Sequence, residues 1–272
     1  LATNNNFATV SAATLNALTQ TYSPLNRGPH TLDMGDAGYQ PALGLLPHWN
    51  ACYLSSGDVQ AYKATLAGSS ALNAYRILWR DATTKNIPKI SSFTSWNTNG
   101  PTGSGTFSLS DADNRWELNH HPGDGYLAYL ITGDYWHYET MLAQAFTCWL
   151  CFDNSSRGSG TNRIMTAETR GTGWSLRTVA QACGIAPTTE ISTGGIVADM
   201  RTLLASNYAY HKAAIDANSS KIWSGSVYQY EYGSWSYNAG GSIGSIANFM
   251  QDFFVASNGF VSDLEPIAEI GR

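Results

Sequence analysis

Histidine, arginine, asparagine, carboxylates and tryptophan gather at a few short stretches of this chain. They are Glu117-Leu118-Asn119-His120-His121, Pro47-His48-Trp49-Asn50, Glu168-Thr169-Arg170 with Trp174, and Asn248 with Gln251-Asp252. A histidine can remove or return a proton, asparagine, histidine or arginine can neutralise a carboxylate, and tryptophan or tyrosine offers a face on which a sugar ring stacks. His120, His121 and Arg170 are the preferred catalytic or carboxylate-binding group. His48, Trp49, Asn119, Trp174, Gln251 and Asp252 are the substrate-binding candidates. Hydrolysis would instead need two carboxylates about 5 to 9.5 Å apart across the bond, and Glu117, Glu168 and Asp252 are the acids at hand. Each group also has a plainer reading. His120-His121 before Pro122 can cap and pack at a helix entrance, or bind a metal with Asp124; Arg170 can pair with Glu168 or Glu139; Gln251-Asp252 can be a satisfied polar pair at the edge of a core.

The elements that must position these residues announce themselves through a repeat. Tyr53-Leu54-Ser55-Ser56-Gly57-Asp58 returns, offset by 76 residues, as Tyr129-Leu130-Ile131-Thr132-Gly133-Asp134. In each copy the glycine can take the left-handed conformation that closes one helix, and the aspartate can accept from the free amides that open the next. The pattern predicts helical hairpins: 43–56 with 58–75, 122–132 with 134–152, and 170–183 with 196–215. A further helix is expected near 242–257, and a short one near 10–19. The first helix of each hairpin is read as inner and the second as outer, so the chemistry-bearing stretches gather at one rim of the helical layer. Residues 1–42 are turn-rich and stand apart from a helical domain over 43–272. Residues 87–116 lose helical periodicity, leaving room for one short β-hairpin. Residues 223–241 interleave Trp223, Tyr228, Tyr230, Tyr232, Trp235 and Tyr237 with Gly and Ser. Tyr230 and Trp235 join the binding candidates, because an extended aromatic face is costly to leave in water.

Composition bounds what such a domain can do. Charged residues are 13% of 272 and the net charge is −5, with no Lys/Arg cluster of the kind a phosphate backbone requires. Apolar runs stop well short of the roughly 20 residues of a membrane span. Cys52, Cys148, Cys151 and Cys183 fit no zinc spacing and are read as buried thiols, with a disulfide as the alternative. No metal or cofactor is expected. Asn-Ser-Ser sequons at Asn154 and Asn218, few lysines and abundant Ser, Thr and Asn lean toward an extracellular or particle-associated setting. The chain begins at Leu1 rather than Met, as expected of a segment or processed product, and equally of an arbitrary boundary.

The His, Asn, Arg, Glu and Trp residues at the inner helix starts resemble the working groups of the (α/α)-toroid polysaccharide lyases and glycosidases. That resemblance implies an all-α fold, an incomplete (α/α) toroid with long aromatic and Gly/Ser loops, and a groove for a glycan at one rim. A second resemblance is carried by His121-Pro122 with Tyr126-Leu127-Ala128-Tyr129-Leu130-Ile131-Thr132-Gly133-Asp134-Tyr135 and Glu139 after it, by Arg170-Gly171-Thr172-Gly173-Trp174-Ser175-Leu176-Arg177-Thr178-Val179-Ala180-Gln181-Ala182, and by Gln251-Asp252-Phe253-Phe254. These strings are similar to a group of large uncharacterised bacterial and phage-associated proteins, which implies longer chains with β-rich sequence upstream but no assigned activity. The expected function is a polysaccharide-interacting domain with a non-catalytic binding or structural role, and a homo-oligomer or another segment of the same precursor as further partner. The alternative is a polysaccharide lyase or glycoside hydrolase acting at the rim. Nucleic acid and a membrane span are not expected.

Overall fold

The structure is a computed structural model that describes residues 9–31, 34, 40–96, 116–152, 157, 163–165, 169–191, 194–217 and 248–264. Eight α-helices and no strand occur among the described residues: α1 (Ala12–Asn16), α2 (His48–Ser56), α3 (Val59–Ala71), α4 (Tyr126–Thr132), α5 (Tyr135–Cys151), α6 (Thr169–Gly184), α7 (Ile196–Ala217) and α8 (Asn248–Leu264). Short 3-10 turns follow α3 at Leu72–Ala74 and lie at Ile90–Ser92 and Thr188–Glu190. The class is all-α. Most of the region expected to have room for a β-hairpin, and Tyr230 and Trp235, lie outside the described residues, as do Glu168, Asn154 and Asn218.

The two Gly-Asp corners match bond for bond. Gly57 and Gly133 sit at φ 65° and 68°, and each amide closes the preceding helix onto Tyr53 or Tyr129 at 2.8 and 2.7 Å. Asp58 and Asp134 then cap α3 and α5, accepting from the amides of Gln60 at 2.7 Å and Trp136 at 3.0 Å. The hydroxyl two residues before each aspartate donates back to its own helix, Ser56 to the Cys52 carbonyl and Thr132 to the Ala128 carbonyl, and accepts the Asp amide at 3.1 Å in both copies. An aromatic clasp repeats as well. Tyr53 faces Tyr62 at 5.7 Å and Tyr129 faces Tyr138 at 5.4 Å, each pair nine residues apart and related by the same 76-residue offset.

In the two Gly-Asp hairpins burial runs opposite to the inner and outer roles expected from sequence, whereas α6, the first helix of the third pair, is enclosed as expected. The second helix of each of these hairpins is the enclosed one: α5 is buried from His137 to Cys151 except at Glu139, and α3 turns Ala61, Ala64, Ala67, Gly68 and Ala71 inward. By contrast α2 buries only Trp49, Asn50 and Cys52. It is also shorter than expected, because Gly44 at φ 140° and Pro47 at the cap keep residues 43–47 out of the helix. Helix α4 is delayed to Tyr126 by Gly125 at φ 105°. Length decides the roles, since seven or nine residues cannot span a core that seventeen can.

One large apolar core is built on α5 and α6, joined by Leu72, Tyr75 and Ile77 after α3, by Ile87 and Ile90, by Val197, Met200, Leu203 and Leu204 of α7, and by Phe254 and Val261 of α8. Helix α8 touches three helices at once. Phe253 lies 5.1 Å from the Trp174 ring of α6, Phe254 lies 5.4 Å from His211 of α7, and Phe260 lies 6.2 Å from Tyr126 of α4. A smaller cluster of Leu15, Cys52 and Ala61 fixes α1 to the first hairpin. All four cysteines are buried and free. No helix among the described residues is long and apolar enough to cross a membrane.

Candidate functional site

Residues 117–125, the irregular segment leading into α4, carry a chain of polar side chains into the molecule. At its outer end Glu117 Oε2 accepts from the Asn119 amide at 2.8 Å and from His120 Nδ1 at 2.7 Å. That bond makes Nδ1 the donor, while Nε2 is buried and without a hydrogen-bond partner. Asn119 presses against the first turn of α6, where a Cβ on Gly171 would fall 2.1 Å from Asn119 Oδ1.

Next along the segment, His121 is fully enclosed and tilted over the Trp116 ring at 5.2 Å. Its Nδ1 donates to the Leu118 carbonyl at 2.7 Å, so Nε2 accepts, with Thr178 Oγ1 and Cys148 Sγ both at 3.2 Å. A cysteine beside a histidine suggests a nucleophile, but the surroundings oppose it. Burial, and then the Arg177 charge, push His121 down to about 3, and burial drives the Cys148 thiol well above its ordinary range. Thiolate and imidazolium are both disfavoured, so the pair is a neutral structural contact.

Arg177 crosses the same seam from α6. Its guanidinium stacks 4.7 Å over Trp174, donates to the Gly44 carbonyl, and donates at 3.1 Å to both the His121 carbonyl and Thr178 Oγ1. One turn later Gln181 donates to the Leu45 carbonyl at 3.2 Å. The two side chains thus staple the segment before α2 to α6. Burial lowers Arg177 to about 9.

The inner end is Asp124, buried with no exposure. It accepts from Trp49 Nε1 at 2.9 Å, the Gly125 amide at 3.0 Å and Asn50 Nδ2 at 3.4 Å. His30 Nε2 lies 3.7 Å from Asp124 Oδ2 but donates to the Gly68 carbonyl at 2.9 Å. Burial holds His30 down to about 4 and raises Asp124 to about 7, so the contact is not an ion pair at neutral pH. Gly68 permits this approach, since a Cβ there would stand 2.5 Å from Trp49 Nε1 and 2.6 Å from Asp124 Oδ2.

The structure therefore draws Trp49, Asn119, His120, His121 and Trp174 along one polar seam. Trp49 and Trp174 are each 2% exposed, and their rings are committed to Asp124 and His30, and to Arg177 and Phe253. His48 is exposed, with Nε2 3.6 Å from Cys52 Sγ one turn on. Arg170 is half-buried in the first turn of α6, and Asp252 is exposed near the start of α8, which also carries Gln251. Arg177, Gln181 and His30 were absent from the candidates. Their signals were available in part: Arg177 and Gln181 stand one helical turn apart, and Asp124 is flanked by two glycines.

Among the described residues no three His, Cys, Asp or Glu side chains gather as a metal site would require. Among the described seam groups, His120 Nε2 is buried without a hydrogen-bond partner, as are Asn119 Oδ1, Trp174 Nε1, Arg177 Nε and Gln181 Oε1. In comparisons with known proteins, no family model, curated protein or solved structure matches this chain.

Proposed function

We propose that this chain is a helical glycan-binding domain with a non-catalytic, structural role at a cell or particle surface. One observation carries the reading. The tryptophans at the seam are sealed, whereas the second hairpin corner opens α5 with Tyr135 and Trp136, 49% and 40% exposed. Adjacent exposed aromatics on a rigid helix end suit the stacking of a sugar ring and cost little conformational entropy. The test is co-sedimentation of the chain with insoluble cellulose, chitin and cross-linked pectate, for the natural sequence and for Tyr135→Ala and Trp136→Ala. Retention on at least one polymer that either substitution abolishes is expected. A chain that sediments with none of them overturns the reading.

A second reading, a lyase or hydrolase, is favoured by the Glu117–His120 pair, which has the geometry of an oriented general base. Release of reducing ends or of unsaturated uronates, lost in His120→Ala, would place this reading first. Absence of turnover on every polymer bound would remove it.

A further inference from the structure

The 76-residue repeat sets the second corner apart from the first. This step rests on the binding reading above and deepens it. Position by position, Val59 of the first corner corresponds to Tyr135 of the second, and Lys63 corresponds to Glu139. The first copy therefore has neither the ring nor the acid.

Around Tyr135 the field is negative. The Tyr135 hydroxyl donates to Glu190 Oε1 at 3.2 Å, and Glu139, one turn along α5, holds Arg80 at 2.6 Å. Asp134, exposed, caps the helix immediately before the ring. Three carboxylates thus stand against one guanidinium, and that guanidinium is already paired. The phenol answers to the same field. Partial burial first, then Glu190 and Glu139, push Tyr135 up to about 12, so it remains a neutral donor, its ring half exposed and edge-on to Tyr138 at 5.5 Å. Ile191, the residue after Glu190, is 39% exposed.

We infer that the corner formed by Tyr135, Trp136, Glu139 and Glu190 binds an amino-sugar polymer with free amines, the ring stacking on the aromatic face and the ammonium meeting the carboxylate rim. A polyuronate would bring its own carboxylates against Asp134, Glu139 and Glu190 and be repelled. A neutral polymer would stack but leave the rim unanswered. This separates the corner from the uronate-directed chemistry expected of the seam.

The experiment is calorimetric titration of the full chain at fixed, moderate salt with four probes: glucosamine hexamer, N-acetylglucosamine hexamer, oligogalacturonate of the same length, and hexalysine. Glucosamine hexamer should bind tightest and oligogalacturonate not measurably. Glu190→Gln should weaken glucosamine hexamer by about tenfold, the loss of one charge-assisted hydrogen bond, while leaving the N-acetylated hexamer unchanged. Tyr135→Ala should weaken both, and Val59→Ala at the first corner neither; far-ultraviolet circular dichroism checks that each variant is folded. Oligogalacturonate binding as tightly as glucosamine hexamer, or hexalysine matching it, overturns the proposal, the latter marking a surface for basic peptides. Insensitivity of glucosamine binding to Glu190→Gln overturns it too. If the N-acetylated hexamer or oligogalacturonate binds best and still needs Tyr135, the charge preference fails while the glycan reading stands; if none of the sugars binds, both fail.

Discussion

Asp124 is buried away from water yet surrounded by three donors, and the opposition between those two facts makes its charge depend on pH. Its folded pKa, about 7, lies above the ordinary carboxyl value of 3.8, so its contribution to stability is present below 3.8 and is lost as pH rises through 7. The enclosed histidines run the other way. His30 and His211 are lowered to about 4, His121 to about 3, and His137 is lowered too, in each case by burial first; their contribution is present above 6.5 and is lost as pH falls through those values. Several histidines oppose one aspartate between pH 4 and 6.5, so stability should fall with acidification. Asp124→Asn removes the opposing carboxyl and should steepen that fall by about 1.4 kcal/mol per pH unit. Urea unfolding of both chains at a series of pH values from 7 to 5 measures the two slopes, and parallel lines would remove Asp124 from the account. Residue type was readable here, and residue environment was not. His120 and His121 are neighbours in sequence, yet one keeps a free nitrogen beside Glu117 while the other is closed in by Cys148, Thr178 and Trp116, because α5 and α6 arrive from far along the chain.

The hairpin corners were legible because their chemistry is local. A glycine at positive φ and an aspartate accepting from the amide two residues on need only six consecutive residues to be specified, and both copies form as expected. Asp58→Ala and Asp134→Ala should each cost about 1 kcal/mol of unfolding free energy, measured by denaturant titration. In the two Gly-Asp hairpins, unlike α6 and α7, which helix faces the core was not legible, since α2 is apolar enough to be buried but too short to fill the space that α3 and α5 occupy. The small residues of α3 signal close approach instead. Gly68→Ala tests that directly: its Cβ would collide with the Trp49 indole nitrogen and the Asp124 carboxylate, whereas a Cβ on Gly133 meets nothing within 4 Å. Gly68→Ala should therefore cost about 3 kcal/mol or more, as overpacking combined with a broken buried hydrogen bond. Gly133→Ala should cost only the backbone penalty of about 1 kcal/mol. Equal effects would mean that the α3 seam repacks freely.

At the scale of the whole molecule, individual helices followed from periodicity, but their assembly did not, because each long-range contact depends on partners brought in by segments with no period of their own. Helix α8 is the clearest case. Expected to end at 257, it runs on to Leu264 in the structure, and Phe253, Phe254 and Phe260 meet α6, α7 and α4 in turn. Sequence offers the aromatics without naming their receivers. The receiving surface on α6 is made by a glycine: a Cβ on Gly173 would stand 3.2 Å from Phe254 Cα and 3.4 Å from Ser257 Oγ, and backbone cannot rotate aside as a side chain can. Gly173→Val should push α8 away, uncovering Trp174 and the His211 contact, and amide hydrogen exchange across residues 248–264 should accelerate before that of α5 does. Gly259→Ala, in the same helix but with open space around its Cβ, is expected to stabilise by about 1 kcal/mol from helix propensity alone and to slow exchange. Opposite signs from two glycine substitutions at one helix pair would establish α8 as a rigid cover on α6. Unchanged exchange in Gly173→Val would instead mean that α8 contributes little to holding the core closed.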